Sequence, residues 1–239
     1  MGMPISVEIP RASSGGAIEE VFDYFRSVDE RFSTYKPESE ISQINRRELT
    51  EEAWSPQMRE VFAIAEMTKR ETDGYFDIRR SDGMIDPSGI VKGWAIKNAS
   101  HILNDAGIED YFIDAGGDIA LAGHNERSED WSVGIRNPFK TDEIVKIVYP
   151  RSEGIATSGS YLRGAHIYDP HDPSRTLEDI VSITVIGPDV LEADRFATAA
   201  FAMGTNGIQF LESRPGLEGY MIGRDAIAVE TTGFSRYTR

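Results

Sequence analysis

The chain has 239 residues, carries 25 Lys+Arg against 40 Asp+Glu for a formal charge of −15, and contains no cysteine. With 40% hydrophobic residues it can bury a sizeable core and is not a disordered chain. The acidity disfavours nucleic acid and anionic membrane surfaces as partners, and the absence of thiols excludes disulfides, thiolate metal sites and cysteine nucleophiles.

Residues 5–9 alternate as a strand and lead into a small polar turn at 11–16. Ile18, Val21, Phe22, Phe25, Val28 and Phe32 then recur at helical spacing. Ser55 and Pro56 read as the N-cap and first-turn proline of a second helix, with Met58, Val61, Phe62 and Ala65 on one face and Gly74 beyond its end. A third helix is predicted from near Ile90 through Trp94, Ala99, Ile102 and Leu103 to a stop at Gly107. From Tyr111 the pattern changes to short strands over 111–114, 131–135, 144–149, 166–168, 180–186, 220–222 and 227–229. A helix over 191–203, stopped by Gly204, interrupts them, and a short one follows at 208–211. Helices enriched in the N-terminal half and strands in the C-terminal half predict α+β rather than regular βαβ winding. No repeat, linker or low-complexity run divides the chain, so 1–239 is expected to form a single compact domain. The start lacks a signal-peptide pattern and no run reaches the ~18 apolar residues of a membrane span. The expected setting is cytoplasmic, without a membrane anchor.

The polar, glycine-rich stretches hold the candidate chemistry: SEISQIN (39–45), DPSGIVKG (86–93), DAGGD (114–118), TSG (157–159), HIYDP (166–170) and DRFAT (194–198). Asp194 and Thr198 lie four apart on a predicted helix, so both oxygens leave from one face. A carboxylate and a hydroxyl suit Mg²⁺ or Ca²⁺ and leave room for water and a phosphate; the alternative is a carboxylate favouring the helix dipole beside a packed threonine. In DPSGIVKG, Ser88 and Gly89 would turn into a helix start whose free amides suit an anion, with Lys92 as a point charge; the alternative is an ordinary strand–turn–helix junction. The phosphate loop GxxxxGK[ST] is absent, and DAGGD lacks GxGxxG spacing, which favours a structural turn there. His166 can take a proton from a hydroxyl nucleophile or simply be a hydrogen-bonded strand histidine. Ser158 is not in a GxSxG elbow.

Taken together and in this order, STYKPESEISQIN (33–45), DGYFD (73–77), DPSGIVKGWAIK (86–97), DAGGDIALAG (114–123), IATSG (155–159), HIYDP and AD-x-x-x-T (193–198) resemble the ApbE family of FAD:protein FMN transferases, over nearly the whole chain. The resemblance implies a single ApbE-like, T-fold-related domain that takes FAD as substrate with Mg²⁺ across its pyrophosphate. It further implies transfer of the FMN half to a Thr or Ser hydroxyl of an acceptor flavoprotein, with release of AMP. Hydrolysis of FAD to FMN and AMP, or FAD binding without catalysis, are the alternatives. It assigns Asp194, Thr198 and the Gly89 carbonyl to the metal, Met1, Tyr35, Asp86 and Lys92 to FAD, and His166 as the base. The chain departs from the family pattern between the FD pair and DPSG, where only residues 78–85 intervene, so part of the flavin pocket wall is expected to be reduced. Asp172-Pro173 replaces the usual Thr-Gly after HIYDP, and Ser88 stands where many members have Gly.

Overall fold

The helical spacing of the first half is realised in the computed structural model, which describes residues 2–10, 15–159, 170–172 and 177–239. Helix α1 (Gly15–Phe32) buries Val21, Phe25, Val28 and Phe32, the stripe that its periodicity marks. A short α2 (Glu40–Asn45), which the hydrophobic pattern does not announce, starts where Ser39 Oγ accepts from Ser42 N at 3.2 Å. Helix α3 (Pro56–Glu71) follows with Ser55 as its cap, accepting from Met58 N at 3.2 Å. Helix α4 (Ser88–Asp105) is buried along Ile90, Val91, Gly93, Trp94, Ala95, Ile96, Ala99, Ser100 and Leu103, more than one stripe wide. It has protein on several sides.

Strand β1 (Ile5–Glu8) pairs with β2 (Tyr111–Ala115), which turns tightly into β3 (Asp118–Ala122). Next come β4 (Val133–Asn137) and β5 (Lys140–Val148), paired with each other as a separate hairpin. The main sheet continues with β6 (Gly154–Gly159) and β7 (Ile180–Gly187), then helices α5 (Val190–Ala202) and α6 (Gly207–Glu212), and finally β8 (Glu218–Gly223) and β9 (Ala228–Glu230). Among the described residues its seven strands run β1-β2-β3-β6-β7-β8-β9, and every neighbouring pair is antiparallel. The α+β expectation holds. Strands β3 and β6 are additions to the predicted set, while the predicted strand at 166–168 and the turn residues 11–14 lie outside the described residues.

The two-residue period of the strands sorts side chains onto two faces. Ile113, Ala115 and Ala120 pack with α1, α3 and α4, while Ala156, Ile183, Val185 and Met221 pack with α5 and α6. On the reverse face Ile119, Leu121, Ile155, Ile186, Tyr220 and Ile222 meet Val133, Ile135 and Val148 of the hairpin. Asp118 shares the parity of Ala120, so its carboxylate faces the helices. That alternation brings a strand carboxylate to the helix layer.

Candidate functional site

The site begins at the junction before α4. Asn45, the last residue of α2, grips the backbone of Ile85 from both sides: its Nδ2 donates to Ile85 O at 2.9 Å and its Oδ1 accepts from Ile85 N at 2.8 Å. Asp86 N donates to Ile78 O at 2.8 Å, and Asp86 Oδ1 accepts from Ser88 N at 3.1 Å, capping the first turn of α4. The entry to this helix is therefore held by side chains before any ligand arrives.

Helices α4 and α5 then cross antiparallel at very short range. Lys97 Nζ lies 2.7 Å from Asp189 Oδ2, the carboxylate whose other oxygen caps α5 through Glu192 N at 3.0 Å. One turn back along α4, Gly93 N donates to Asp194 Oδ2 at 2.8 Å. A further turn back, a methyl placed on Gly89 would come within 3.4 Å of Thr198 Cγ2 and 3.1 Å of the Phe76 ring. The contact survives at Gly93 only because that residue has no side chain: a Cβ there would lie 2.8 Å from both Asp194 Cβ and Val190 O. The three predicted metal ligands, Gly89, Asp194 and Thr198, are thus brought together at one crossing. In a regular α-helix the Gly93 amide would point at the Gly89 carbonyl, so the Asp194 carboxylate competes for the donor that would otherwise occupy Gly89.

Lys92 completes the cluster. Its Nζ is 2.5 Å from Asp118 Oδ2 and 3.9 Å from Asp194 Oδ1, with both carboxylates buried. Asp118 Oδ1 accepts from Thr157 N at 3.2 Å. Asp118 Oδ2, despite the nearby ammonium, has no hydrogen bond of good geometry among the described residues. Burial raises the Asp194 carboxyl well above the usual carboxylate range; the Lys92 ammonium opposes that rise, and the Asp118 charge adds to it. A second cation would relieve this concentration of buried negative charge.

Sequence reasoning missed Asp118 as part of the cluster and read DAGGD only as a turn. The turn is there: Gly116 and Gly117 have φ of +64° and +96° and form the two-residue loop of the β2–β3 hairpin. The available signal was the next residue, an aspartate opening a strand on the parity of its buried face. Of the remaining predicted residues, Asp86 is half-buried beside the cluster's helix start, and Tyr35 stands 95% exposed in the turn after α1. Met1 and His166 lie outside the described residues.

The donors offered at the crossing are a carboxylate, a hydroxyl and a backbone carbonyl, all hard oxygens of the kind Mg²⁺ takes. Among the described residues no group of three or more His, Cys, Asp or Glu side chains is placed to hold a metal. A cation here would keep positions for water or ligand phosphate. The residues present fit such an ion, which the buried Asp194 and Asp118 carboxylates would attract.

Fold and site together define an α+β protein with an oxygen-ligand cluster and a lysine at a helix crossing above an antiparallel sheet. The chain belongs to the ApbE family, whose model matches residues 1–82 and 78–221. The break between those stretches falls in the short connection ahead of α4, where the family pattern is interrupted. A relative named FAD:protein FMN transferase from Salmonella typhimurium is 31% identical over 159 residues, covering 63% of this chain and 45% of that protein. One of the same name from Vibrio cholerae is 34% identical over 129 residues, covering 50% of this chain and 39% of its own. The aligned region thus spans less than half the length of these relatives. Among solved structures, flavin transferase ApbE from Vibrio cholerae superposes with a TM-score of 0.86 at 24% identity, over 99% of this chain and 96% of that one. The ApbE protein from Thermotoga maritima gives 0.85 at 20% identity, over 100% and 96%. These two likenesses establish the fold. Among the described residues no helix is long and apolar enough to cross a membrane.

Proposed function

We propose that this protein moves the FMN half of FAD onto a Thr or Ser hydroxyl of an acceptor flavoprotein and releases AMP. The observation that carries the reading is the convergence of Gly89, Lys92, Asp194 and Thr198 at the α4–α5 crossing in a member of this family. Gly89 O, the Asp194 carboxylate and the Thr198 hydroxyl would hold Mg²⁺, which when bound would offset the pyrophosphate charge and draw electron density from phosphorus. Lys92 adds a point charge against the developing charge on the phosphoryl oxygens. Asp86 orders the helix start, and with Tyr35 and Met1 it is assigned to FAD. His166 takes the proton of the acceptor hydroxyl as its oxygen bonds to the phosphorus of the FMN half. The P–O bond to the AMP half breaks, and AMP leaves with the electron pair.

The test is incubation with FAD, Mg²⁺ and an acceptor flavoprotein fragment. The readouts are in-gel flavin fluorescence and mass analysis of the nucleotides. A fluorescent adduct with one AMP released per adduct is expected, and Asp194→Ala reduces both to background. Free FMN and AMP formed without acceptor would replace transfer by hydrolysis. FAD that stays bound and intact under every condition would leave a flavin-binding protein only.

A further inference from the structure

We propose that Asp118 is a positioning residue that holds the Lys92 ammonium away from Asp194 and so keeps the Asp194 carboxylate open to a divalent cation. The inference rests on the metal assignment made for the proposed function.

Its basis is an asymmetry in the cluster. Two buried carboxylates face one ammonium, and the ammonium stands 2.5 Å from Asp118 but 3.9 Å from Asp194. Both carboxylates can reach Lys92, and both are shut off from water, with Asp118 fully buried. In such surroundings the ammonium is drawn to both carboxylates, and the closer one takes the larger share of the attraction. Asp118 wins that competition because its strand fixes it: Thr157 N holds Oδ1 at 3.2 Å, leaving Oδ2 toward Lys92. Asp194 is instead held by the Gly93 amide on its Oδ2 at 2.8 Å, and its Oδ1 lies on the Lys92 side at the longer distance. A divalent cation at Asp194 therefore meets an Oδ1 that is not in close contact with the ammonium. Loss of the Asp118 carboxylate would remove the closer of the two attractions and shift the Lys92 ammonium toward Asp194 Oδ1, where it would compete for the same oxygen.

The experiment is a double-mutant cycle read by Mn²⁺ binding, using calorimetry in the absence of FAD, with circular dichroism confirming the fold of each variant. Asp118→Asn keeps the shape and the acceptor for Thr157 N but gives up the hold on Lys92. Mn²⁺ affinity is expected to fall roughly tenfold, the scale of lost support around a metal ligand. Lys92→Met on the Asp118→Asn background is expected to restore affinity to at least the native level. Lys92→Met alone should change it much less, because in the native protein Lys92 is already held off. Asp118→Glu, which still offers Lys92 a carboxylate, should bind Mn²⁺ as the native chain does. If the effects of Asp118→Asn and Lys92→Met are additive, Asp118 contributes only its charge and the positioning role is overturned. Should Asp118→Asn fail to fold, the double variant decides: weak binding by it refutes the proposal. A native chain that binds no Mn²⁺ instead defeats the metal assignment itself, an outcome distinct from additivity.

Discussion

Replacing Gly93 by alanine tests whether the α4–α5 contact builds the site. In an isolated helix this change would stabilise by ~1 kcal/mol, because glycine is a poor helix former. Here the new methyl would sit 2.8 Å from Asp194 Cβ and 2.8 Å from Val190 O, and 3.0 Å from Asp194 Oδ2. Carbon atoms in favourable contact lie ~3.5–4.0 Å apart, so the helices must separate by several tenths of an ångström or more. None of the close atoms is the end of a long flexible side chain. Overpacking of this kind costs ~1–3 kcal/mol, and parting the helices stretches the Gly93 N to Asp194 hydrogen bond, worth another ~1.5–3 kcal/mol for a charged acceptor. Against the ~1 kcal/mol gain in helix propensity, the net expectation is a loss of about 1.5–5 kcal/mol. Urea unfolding of native and variant chains measures it, with Mn²⁺ affinity as a second readout that should weaken with it. Gly16→Ala is the control of opposite sign, since an exposed helical glycine with nothing within 4 Å of its would-be Cβ should gain stability on substitution. A Gly93→Ala protein as stable as the native chain, with unchanged Mn²⁺ affinity, would refute the idea that close helix approach positions Asp194.

Two further expectations concern residues that contact α4 or the segment leading into it. Asn45→Ala removes both hydrogen bonds to the Ile85 backbone and leaves its amide and carbonyl to find new partners. The expected cost is ~1–3 kcal/mol in urea unfolding, with weaker FAD binding by equilibrium titration; unchanged affinity would separate the α4 entry from the ligand site. Burial pushes the Tyr24 hydroxyl up to about 12, against the opposing hydrogen bond from Asn98 Nδ2 at 3.0 Å. The neutral phenol is therefore favoured in the folded state. Its stability contribution is complete below the ordinary tyrosine value near 10 and is lost as pH rises from there through about 12. At pH ~8 Tyr24→Phe should be less stable by ~1 kcal/mol for the lost hydrogen bond. That gap should close and then reverse in alkali, because about two pKa units are worth ~2.7 kcal/mol at most. A gap independent of pH between about 8 and 11 would contradict the shift.

The residue pattern announces α1, α3 and α5 because their burial is one-sided or their ends carry recognisable stops: Ser55 and Pro56 open α3, and Gly204 follows α5. It does not announce α2, whose EISQIN is mostly polar and whose use is local: it delivers the Asn45 amide to the Ile85 backbone. Strands β3 and β6 escape because glycine at a strand start or end looks like loop, and their burial on both faces leaves no polar alternation to read. The site divides along the same line. Two residues four apart share a helix face, so Asp194 with Thr198, and Gly89 with Gly93, are legible separately from their own helices. Nothing local says that these two faces meet, with Gly93 reaching Asp194 across 101 positions of chain. Asp118 is harder still, since its relevance depends on a strand parity and a third element. Yet the pairing of Gly93 with Asp194 and of Gly89 with Thr198 has one physical cause. Antiparallel helices whose facing residues repeat at the same interval stay in contact over successive turns, and glycine at the facing position lets their backbones approach this closely. The spacing of Asp194 and Thr198 on α5 therefore has its counterpart in the glycine spacing on α4, with Gly93 the position at which a side chain would force the helices apart.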